Sequence, residues 1–363
     1  MRSTVALYPF CAELLPVVKH FEELQKEYTI TRLLSPCGLG LVGKDAGYAR
    51  NHPDLGIIVS YALDMDESSW DTLLVVECVD LQIVDSEIQL EDIMARALKA
   101  GKKISYFALN EKSISPKIQE YLSEYPSMIN LFIEGVDGKE TQMVYEHFDE
   151  TNIPVILVGG LLTEADVFEV LIQLAICMRK NGIHPLVLTR NPIGKMFDFY
   201  EMGHIFNNKN LSESEKIIAI NLLTRNLEIT EMPDVILLEA PDAIMQFSNV
   251  DPNGFGIKTY MVCRALSPDY LICSVPWDLG VGVFVEAISS DLTNRLKLPI
   301  SAIHISNIIV DTAELLQTRT ISYAHSSLER VQNQLENEKG KTQIVMCNVI
   351  QDGVDEIISM FES

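Results

Sequence analysis

Short apolar runs alternate with amphipathic stretches along the first 150 residues of the chain. The runs have the length and the β-branched content of buried strands, and the stretches between them repeat apolar residues at the helical period. The predicted strands are 4–8, 29–34, 55–59, 72–77 and 103–108, and the predicted helices are 13–28 and 90–100. Strands that alternate with helices predict a parallel sheet with helices on both faces.

A polar segment from residue 135 to residue 152 interrupts this pattern. We therefore predict two doubly wound parallel-sheet domains, a Rossmann-like domain at 1–150 and a second α/β domain at 151–363. In the second domain, strands are predicted at 154–158, 185–189, 234–239, 269–275, 300–305 and 343–350, and helices at 166–181, 213–226, 255–266, 283–296 and 313–338. The long helix at 313–338 would offer a face for pairing with a second copy of the chain as a homodimer.

The apolar run Val155–Val158 leads into Gly159 and Gly160 and then into a helical stretch, which is the layout of a phosphate-binding loop. A P-loop reads G-x-x-x-x-G-K-[ST]. Counted from Gly160, the last three places here read Ala-Asp-Val at 165–167, so the phosphate-binding lysine and the magnesium-binding hydroxyl are both missing. We predict a degenerate P-loop NTPase-like domain that does not take ATP with magnesium, and no other cofactor is assigned.

Two interpretations of this loop stay open. The helix N-terminus after it can still bind a ligand, with Gly159, Gly160, Thr163 and Asp166 as contacting residues. Alternatively, Thr163 or Asp166 only caps the helix and complements its dipole. Glu239 ends a strand that is predicted to lie beside the loop, where P-loop proteins place a magnesium-binding acid. A helix cap or loop role is the alternative for Glu239.

Two other strand ends in the second domain carry candidate ligand contacts. In the segment 251–258, Gly254 permits close approach of a ligand, and Lys258 would supply positive charge. A surface turn is the alternative there. Trp277 would stack on a ring and Asp278 would accept a hydrogen bond from it, or Trp277 packs at a domain interface.

Lys44 and Asp45 stand between glycines after a strand of the first domain, where they would bind an anion or fix the orientation of the domains. The histidines form no H-E-x-x-H motif, and no G-x-S-x-G elbow is present. His304, within an apolar run, is interpreted as a satisfied strand residue. The seven cysteines are an odd number without any C-x-x-C, so no metal site is expected.

Composition narrows the class of partner. The chain has 363 residues, of which 51 are acidic and 28 basic, for a net charge of −23. Nucleic acid is excluded as a partner because phosphate neutralisation needs a basic surface. The N-terminus has no apolar signal region, and no apolar run is long enough to span a bilayer, so no membrane is expected. These features and the unpaired cysteines predict a cytoplasmic protein.

Four segments carry a resemblance to a known family: 35–48, 154–159, 168–174, and 189–191 with 196–199. Over roughly residues 3 to 310 the chain resembles clostridial peptide-maturation-system proteins, which are encoded beside radical-SAM enzymes and bacteriocin-like precursor peptides. The resemblance implies a biosynthetic context. The layout is also similar to a wider P-loop family that includes a D-glutamate N-acetyltransferase. That family keeps a Gly-Lys-[Lys/Ser]-Thr loop, from which this chain departs at 165–167.

Three functions are consistent with the sequence. The first is an accessory protein in the maturation of a ribosomally synthesised peptide, which binds the precursor peptide or a peptide-modifying enzyme without classical ATP hydrolysis. The second is an acyl- or group-transferase, dependent on coenzyme A or a nucleotide, that works in an interdomain crevice with Lys44, Lys258 and Glu239 as its polar set. The third, a nucleotide hydrolase, is disfavoured by the missing lysine.

Overall fold

The computed structural model describes residues 3–26, 28–61, 69–77, 87–108, 114–133, 148–251, 254–277, 281–338 and 340–361. The chain forms two compact units. Unit 1 comprises Met1–Gly138 and Pro192–Phe197, and unit 2 comprises Lys139–Asn191 and Asp198–Ser363. A six-residue segment from the middle of the sequence therefore belongs to the N-terminal unit.

Unit 1 is built on a sheet of six parallel strands. The strands are β1 (Ser3–Tyr8), β2 (Tyr28–Leu34), β3 (Val59–Ser60), β4 (Thr72–Val76), β5 (Lys103–Ala108) and β6 (Ile129–Ile133). The helices are α1 (Leu15–Leu24), α2 (Glu87–Lys99) and α3 (Pro116–Glu124). The spatial order β3-β2-β1-β4-β5-β6 is the doubly wound order of dinucleotide-binding sheets, so the predicted Rossmann-like class is confirmed.

The segment Pro192–Phe197 is a 3₁₀ helix with buried apolar side chains. The Phe197 ring lies edge-on to Phe21 of α1, with 5.9 Å between ring centroids. The Gln25 side-chain amide donates to the carbonyl oxygen of Met196 at 2.7 Å. These contacts tie the segment to the end of α1 within unit 1.

The predicted strand at 55–59 is wrong for most of its length. Only Val59–Ser60 joins the sheet, because Gly56 has a positive φ of 78° and breaks the extended run. Ile58 is exposed and forms an antiparallel bridge with Asp45 instead. The glycine-rich loop after β2 therefore folds back on the segment that precedes β3.

Unit 2 is built on a sheet of seven parallel strands. They are β7 (Val155–Gly160), β8 (Pro185–Thr189), β9 (Tyr200–Glu201), β10 (Val235–Glu239), β11 (Tyr270–Pro276), β12 (Ala302–Ser306) and β15 (Val345–Cys347), and the antiparallel hairpin β13 (Ile308–Val310) and β14 (Tyr323–His325) stands apart. The order is β15-β12-β11-β7-β10-β8-β9. The chain enters at the centre and builds outward on both sides, which confirms a second doubly wound domain.

Unit 2 has eight α-helices among the described residues. They are α4 (Val167–Lys180), α5 (Gly203–Asn207), α6 (Glu213–Glu231), α7 (Ile257–Leu266), α8 (Val281–Leu296), α9 (Thr312–Thr318), α10 (Leu328–Glu338) and α11 (Val354–Phe361). Five of them, α5, α6, α7, α8 and α10, contribute buried apolar side chains to the main core of the unit. A capping box between Ser212 and Glu215 fixes the start of α6. Among the described residues, no helix has both the length and the apolar character needed to cross a membrane.

The predicted continuous helix at 313–338 is also wrong. Helix α9 ends where Arg319 takes a left-handed conformation, with φ 60°, and the chain then forms strand β14 before α10 begins. Pairing of β14 with β13 satisfies backbone groups that a continuous helix would satisfy internally. The long helical face on which homodimer formation was expected is therefore not formed.

Candidate functional site

The loop between β7 and α4 lies at the carboxyl edge of the unit 2 sheet, where the direction of winding reverses between β7 and β11. In doubly wound sheets this position is the usual ligand crevice. Gly159 and Gly160 are both needed there for packing. A Cβ atom on Gly159 would lie 2.5 Å from the Ile244 side chain, and one on Gly160 would lie 2.5 Å from the carbonyl oxygen of Leu162.

Backbone groups of this loop are bonded within the protein. The N–H of Leu161 donates to the carbonyl oxygen of Ser274 at 3.0 Å, that of Ala165 to Leu162 at 3.2 Å, and that of Asp166 to Glu164 at 2.7 Å. A phosphate-binding loop needs such N–H groups to point at the ligand. Three backbone N–H groups that could bind a phosphate therefore already donate to carbonyl oxygens of the protein.

Two polar side chains from neighbouring strands contact consecutive residues of the loop. Gly160, Ser274 and His304 face one another across β7, β11 and β12. The Ser274 hydroxyl donates to the carbonyl oxygen of Ala165. The His304 Nε2 atom lies 3.5 Å from a carboxylate oxygen of Asp166. The loop is thus held down on the strands beneath it.

His304 is fully buried, and its hydrogen bonds define which nitrogen carries the proton. Its Nδ1 atom accepts the backbone N–H of Val349 at 3.0 Å, so the proton of the neutral imidazole lies on Nε2 and faces Asp166. The predicted role of His304 as a satisfied strand residue agrees with these contacts. Asp166, His304 and Val349 link the loop to the segment that follows β15.

Asp166 occupies the position before α4 with a left-handed backbone, φ 59°. The sequence indicates Asp166 as a possible cap of α4. Its carboxylate makes no capping hydrogen bond to the helix, because it faces His304 instead. Thr163, the other capping candidate, donates from its hydroxyl to Glu164 at 2.8 Å. The carboxylate at the lysine position of a P-loop is therefore buried within the protein, with 4% of the residue exposed.

Apolar side chains complete the closure of the loop. Leu162 and Ala165 are buried in a small cluster with the hairpin β13–β14 and the segment before α7. The cluster consists of Leu162, Ala165, Ile308 and Val310, with Phe247, Ile321 and Tyr323 packed at its edge. Leu162 and Ala165 of the loop thus pack against aliphatic and aromatic groups, which suit apolar packing and not a charged phosphate.

Glu239 ends β10, which pairs directly with β7, so it lies in the strand position where P-loop proteins hold a metal-binding acid. The residue is 3% exposed, and its carboxylate accepts from Thr189 Oγ1 and from the N–H of Arg190 at 3.1 Å. The Arg190 guanidinium Nε lies 3.7 Å from the other oxygen. Glu239 therefore ties the end of β10 to the end of β8.

Glu201 is a buried acid that the sequence did not single out. It lies opposite Thr189 in the pairing of β8 and β9, and within the described residues neither of its carboxylate oxygens accepts a hydrogen bond. The His204 Nδ1 atom lies 3.5 Å from the Glu201 Oε2 atom. The Glu-x-x-His spacing is the only sequence signal that would have pointed to it. Among the residues described, no three His, Cys, Asp or Glu side chains are grouped to hold a metal ion.

Of the segment 251–258, Ile257 and Lys258 form the start of α7, and residues 252–253 lie outside the described residues. Asp242 accepts from the N–H groups of Lys258 and Thr259, at 3.1 and 2.8 Å, and so caps this helix from a distance. Gly254 has a φ of 67°, which suits glycine in a turn. The Lys258 ammonium lies 5.7 Å from the centroid of the Phe206 ring.

Trp277 follows β11 and packs, half-buried, against the unit 2 core. Its indole N–H has no hydrogen-bond partner among the described residues. The predicted contact residue Asp278 lies outside the described residues. Trp277 is therefore placed as a packing residue with one polar atom unsatisfied.

Lys44 and Asp45 belong to unit 1, whereas Lys258 and Glu239 belong to unit 2. The Asp45 carboxylate accepts from the N–H groups of Leu55, Gly56 and Gly47, at 2.7, 2.8 and 2.8 Å. Desolvation acts to raise the pKa of Asp45, but these backbone donors outweigh it and lower the pKa. Asp45 therefore holds the glycine-rich loop together.

Comparison with known proteins identifies the fold. No protein-family model matches the chain, and no curated protein matches it. The crystal structure of a DUF1611 family protein from Anabaena variabilis superposes with a TM-score of 0.61 at 11% identity, and covers 100% of both chains. Chloroplast FtsY from Physcomitrella patens aligns over 62% of this chain and 75% of its own, at 12% identity and a TM-score of 0.27. The chain therefore has the two-domain α/β fold of a DUF1611 family protein along its whole length.

Proposed function

We propose that this protein is an accessory factor in the maturation of a ribosomally synthesised peptide, and that it binds the precursor peptide or a modifying enzyme without hydrolysing a nucleoside triphosphate. The observation that carries the second half of the proposal is the closed loop after β7. A loop that places a buried carboxylate at the lysine position cannot supply the charge that a triphosphate needs.

The peptide-maturation context rests on the sequence resemblance of the segments 35–48, 154–159 and 168–174. The fold similarity to a DUF1611 family protein is compatible with that context and does not choose a reaction. The contacts of Glu239 also support a function without nucleotide hydrolysis. Its carboxylate joins two strand ends through Thr189 and Arg190, which supports a structural role for Glu239.

Ligand-dependent stabilisation tests the absence of triphosphate binding. The melting temperature is measured with magnesium and ATP, magnesium and GTP, coenzyme A, or acetyl-CoA. A ligand present at 100 times its Kd adds about 2.7 kcal/mol and moves the transition by several degrees. We expect no shift with either triphosphate. A shift of several degrees with magnesium and ATP would overturn the proposal, and a shift with a coenzyme A compound would support the transferase alternative.

The matched control for the triphosphate measurement is a variant in which the P-loop residues are restored. It combines Ala165→Gly, Asp166→Lys and Val167→Thr. The peptide half is tested separately by fluorescence anisotropy, with a labelled bacteriocin-like precursor peptide as the probe. Saturable binding is expected to the wild-type protein. Lack of binding both to the precursor peptide and to a radical-SAM modifying enzyme would contradict the peptide role, even if the triphosphate result stands.

A further inference from the structure

Each of the two parallel sheets ends in two edge strands, and three of these four edges are short or covered. An edge strand presents backbone N–H and C=O groups that can pair with another chain. In unit 2 the edge strands β9 and β15 have two and three residues. In unit 1 the two-residue strand β3 is covered by the loop after β2, since the N–H of Gly43 donates to Val59 and the N–H of Val59 donates to Lys44, both at 2.9 Å. The fourth edge is β6, which has five residues.

The pairing of β6 with β5 defines which backbone groups of β6 point away from the sheet. Ile104 of β5 lies opposite Ile129, and its N–H donates to the carbonyl oxygen of Met128 at 2.8 Å. Because backbone groups alternate between the two sides of a strand, the even-numbered residues of β6 face β5 and the odd-numbered residues face outward. The N–H of Ile129 is bonded within the preceding turn. In the described part of the chain, no strand accepts from the outward N–H groups of Leu131 and Ile133.

Strand β6 also lacks the features by which proteins protect an exposed sheet edge. Its sequence, Ile-Asn-Leu-Phe-Ile, contains no lysine, no other charged residue and no proline. Its pairing with β5 runs from end to end without a register shift, so no bulge turns the strand away. The edge is therefore suited to the addition of another strand.

Side chains on both faces of β6 offer apolar contacts to an added strand. On one face, Leu131 and Ile133 are partly buried and pack against the core of unit 1. On the other face, the half-buried ring of Phe132 stacks on Phe107, with 4.4 Å between ring centroids. Neighbouring strands lie about 4.8 Å apart, so the side chains of an added strand would lie directly against these groups. The edge therefore favours an extended segment with apolar side chains.

Charge distinguishes a peptide from a second copy of the chain as the added strand. Each copy carries a net charge of −23, so two copies repel each other. A peptide with basic residues on either side of an uncharged segment is attracted instead, and its uncharged segment matches the uncharged strand β6.

We propose that β6 binds an extended, apolar segment of the precursor peptide by strand addition, in which the outward backbone groups of β6 bond to the peptide backbone. The inference rests on the proposed function, because the precursor peptide is one of the two partners named there. It adds the place and the mode of binding. All the groups involved belong to unit 1, so the inference does not depend on the closed loop of unit 2.

Amide hydrogen exchange in the full-length protein, resolved to single residues, tests the site with a bacteriocin-like precursor peptide as the ligand. In the free protein, the N–H groups of Leu131 and Ile133 should exchange rapidly, whereas β5 protects those of Asn130 and Phe132. At saturating peptide, exchange at Leu131 and Ile133 should slow by about tenfold or more, with the other two amides unchanged. Peptide binding without slower exchange at these two positions would overturn the inference and leave the proposed function in place.

Two variants at one position separate the backbone group from the side chain. Leu131→Pro removes the outward N–H and keeps the bonds to β5, because proline is tolerated in an edge strand where its N–H would face away from the sheet. Leu131→Ala is the matched control, which shortens the same side chain and keeps the N–H. In fluorescence anisotropy we expect Leu131→Pro to bind the labelled precursor about tenfold more weakly than Leu131→Ala. Protection of the Asn130 and Phe132 amides in both variants shows that β6 is still paired, and equal affinities would overturn the inference.

The remaining outcomes distinguish this inference from the proposed function. Binding of a radical-SAM enzyme without binding of the precursor would overturn the inference and leave the proposed function in place. Binding of neither partner would overturn both. Slow exchange at Leu131 and Ile133 in the free protein, if it depends on protein concentration, would show that a second copy occupies the edge and would also overturn the inference.

Discussion

The loops that follow β2 and β7 both adjoin or contain glycines, but one is buried on its sheet and the other stays at the surface. The loop after β7 in unit 2 is drawn onto the sheet by Ser274 and His304 and covered by apolar side chains. The loop after β2 in unit 1 is tied by the carboxylate of Asp45 and leaves Lys44 and Tyr48 at the surface. Glycine permits both arrangements, and the polar side chains around the loop decide which one forms.

The largest effect is expected where the unit 2 loop is fastened. His304→Ala removes a fully buried ring that faces Asp166, and leaves a buried carboxylate without this contact. Loss of a large buried ring, together with the loss of a donor that faces a buried carboxylate, is expected to lower the free energy of unfolding by about 3–5 kcal/mol. Urea unfolding measures the change, and exposed His184→Ala is the control. A loss no larger than that of the control would show that the loop is held by other contacts.

Loss of the apolar cover should have a somewhat smaller effect. Leu162→Ala empties part of the cluster beneath the β13–β14 hairpin, and large-to-small core changes cost about 2–5 kcal/mol. Leu316→Ala, at a residue that is 69% exposed, is the matched control for loss of the same atoms. If both variants unfold at the same urea concentration, the cluster does not stabilise the closed loop.

The unit 1 loop should respond to a different substitution. Asp45→Ala leaves the N–H groups of Leu55, Gly56 and Gly47 without their acceptor. Because the site is partly exposed and water can replace the carboxylate, we expect a loss of about 2 kcal/mol. Amide hydrogen exchange at residues 43–58 measures the local opening. Unchanged protection there would contradict the assigned role of Asp45.

The smallest effect is a pH dependence. The pKa of Asp45 is lowered in the folded protein, so its stabilising contribution is complete above the unfolded value of about 3.9 and is lost as the pH falls through the folded pKa. The difference in unfolding free energy between wild type and Asp45→Ala should therefore shrink as the solution is acidified below about pH 4. If the difference in unfolding free energy instead stays constant at low pH, the neutral carboxyl group makes these contacts as well as the carboxylate does.

The sequence is sufficient to predict the layers of the fold, because central strands such as Val155–Val158 and Thr72–Val76 are continuous apolar runs of strand length. It is less informative where a local pattern competes with tertiary pairing. The helical period at 313–338 continues through Arg319, although the chain turns there to form a hairpin. The apolar run at 55–59 likewise lies mostly outside the sheet, which only Val59 of this run joins.

The candidate site shows the same limit. The missing lysine and hydroxyl at 165–167 can be read directly from the sequence. The partners that close the loop cannot, since Ser274 and His304 are more than a hundred residues away and meet it only through strand order. Each is a polar residue within a largely apolar strand, which is the signal that would have directed attention to them. Glu201 offers a weaker signal through its spacing to His204.

The segment Pro192–Phe197 has a practical consequence for dissecting the protein. The chain passes between the two units at three places, near residues 138, 191 and 197. A fragment that stops anywhere before residue 192 would lack the ring of Phe197 against Phe21 and the acceptor for Gln25. The N-terminal unit is thus not encoded by one uninterrupted stretch of the gene. In a truncation series, a fragment could therefore fail to fold because it lacks part of unit 1, and not because it ends inside a domain.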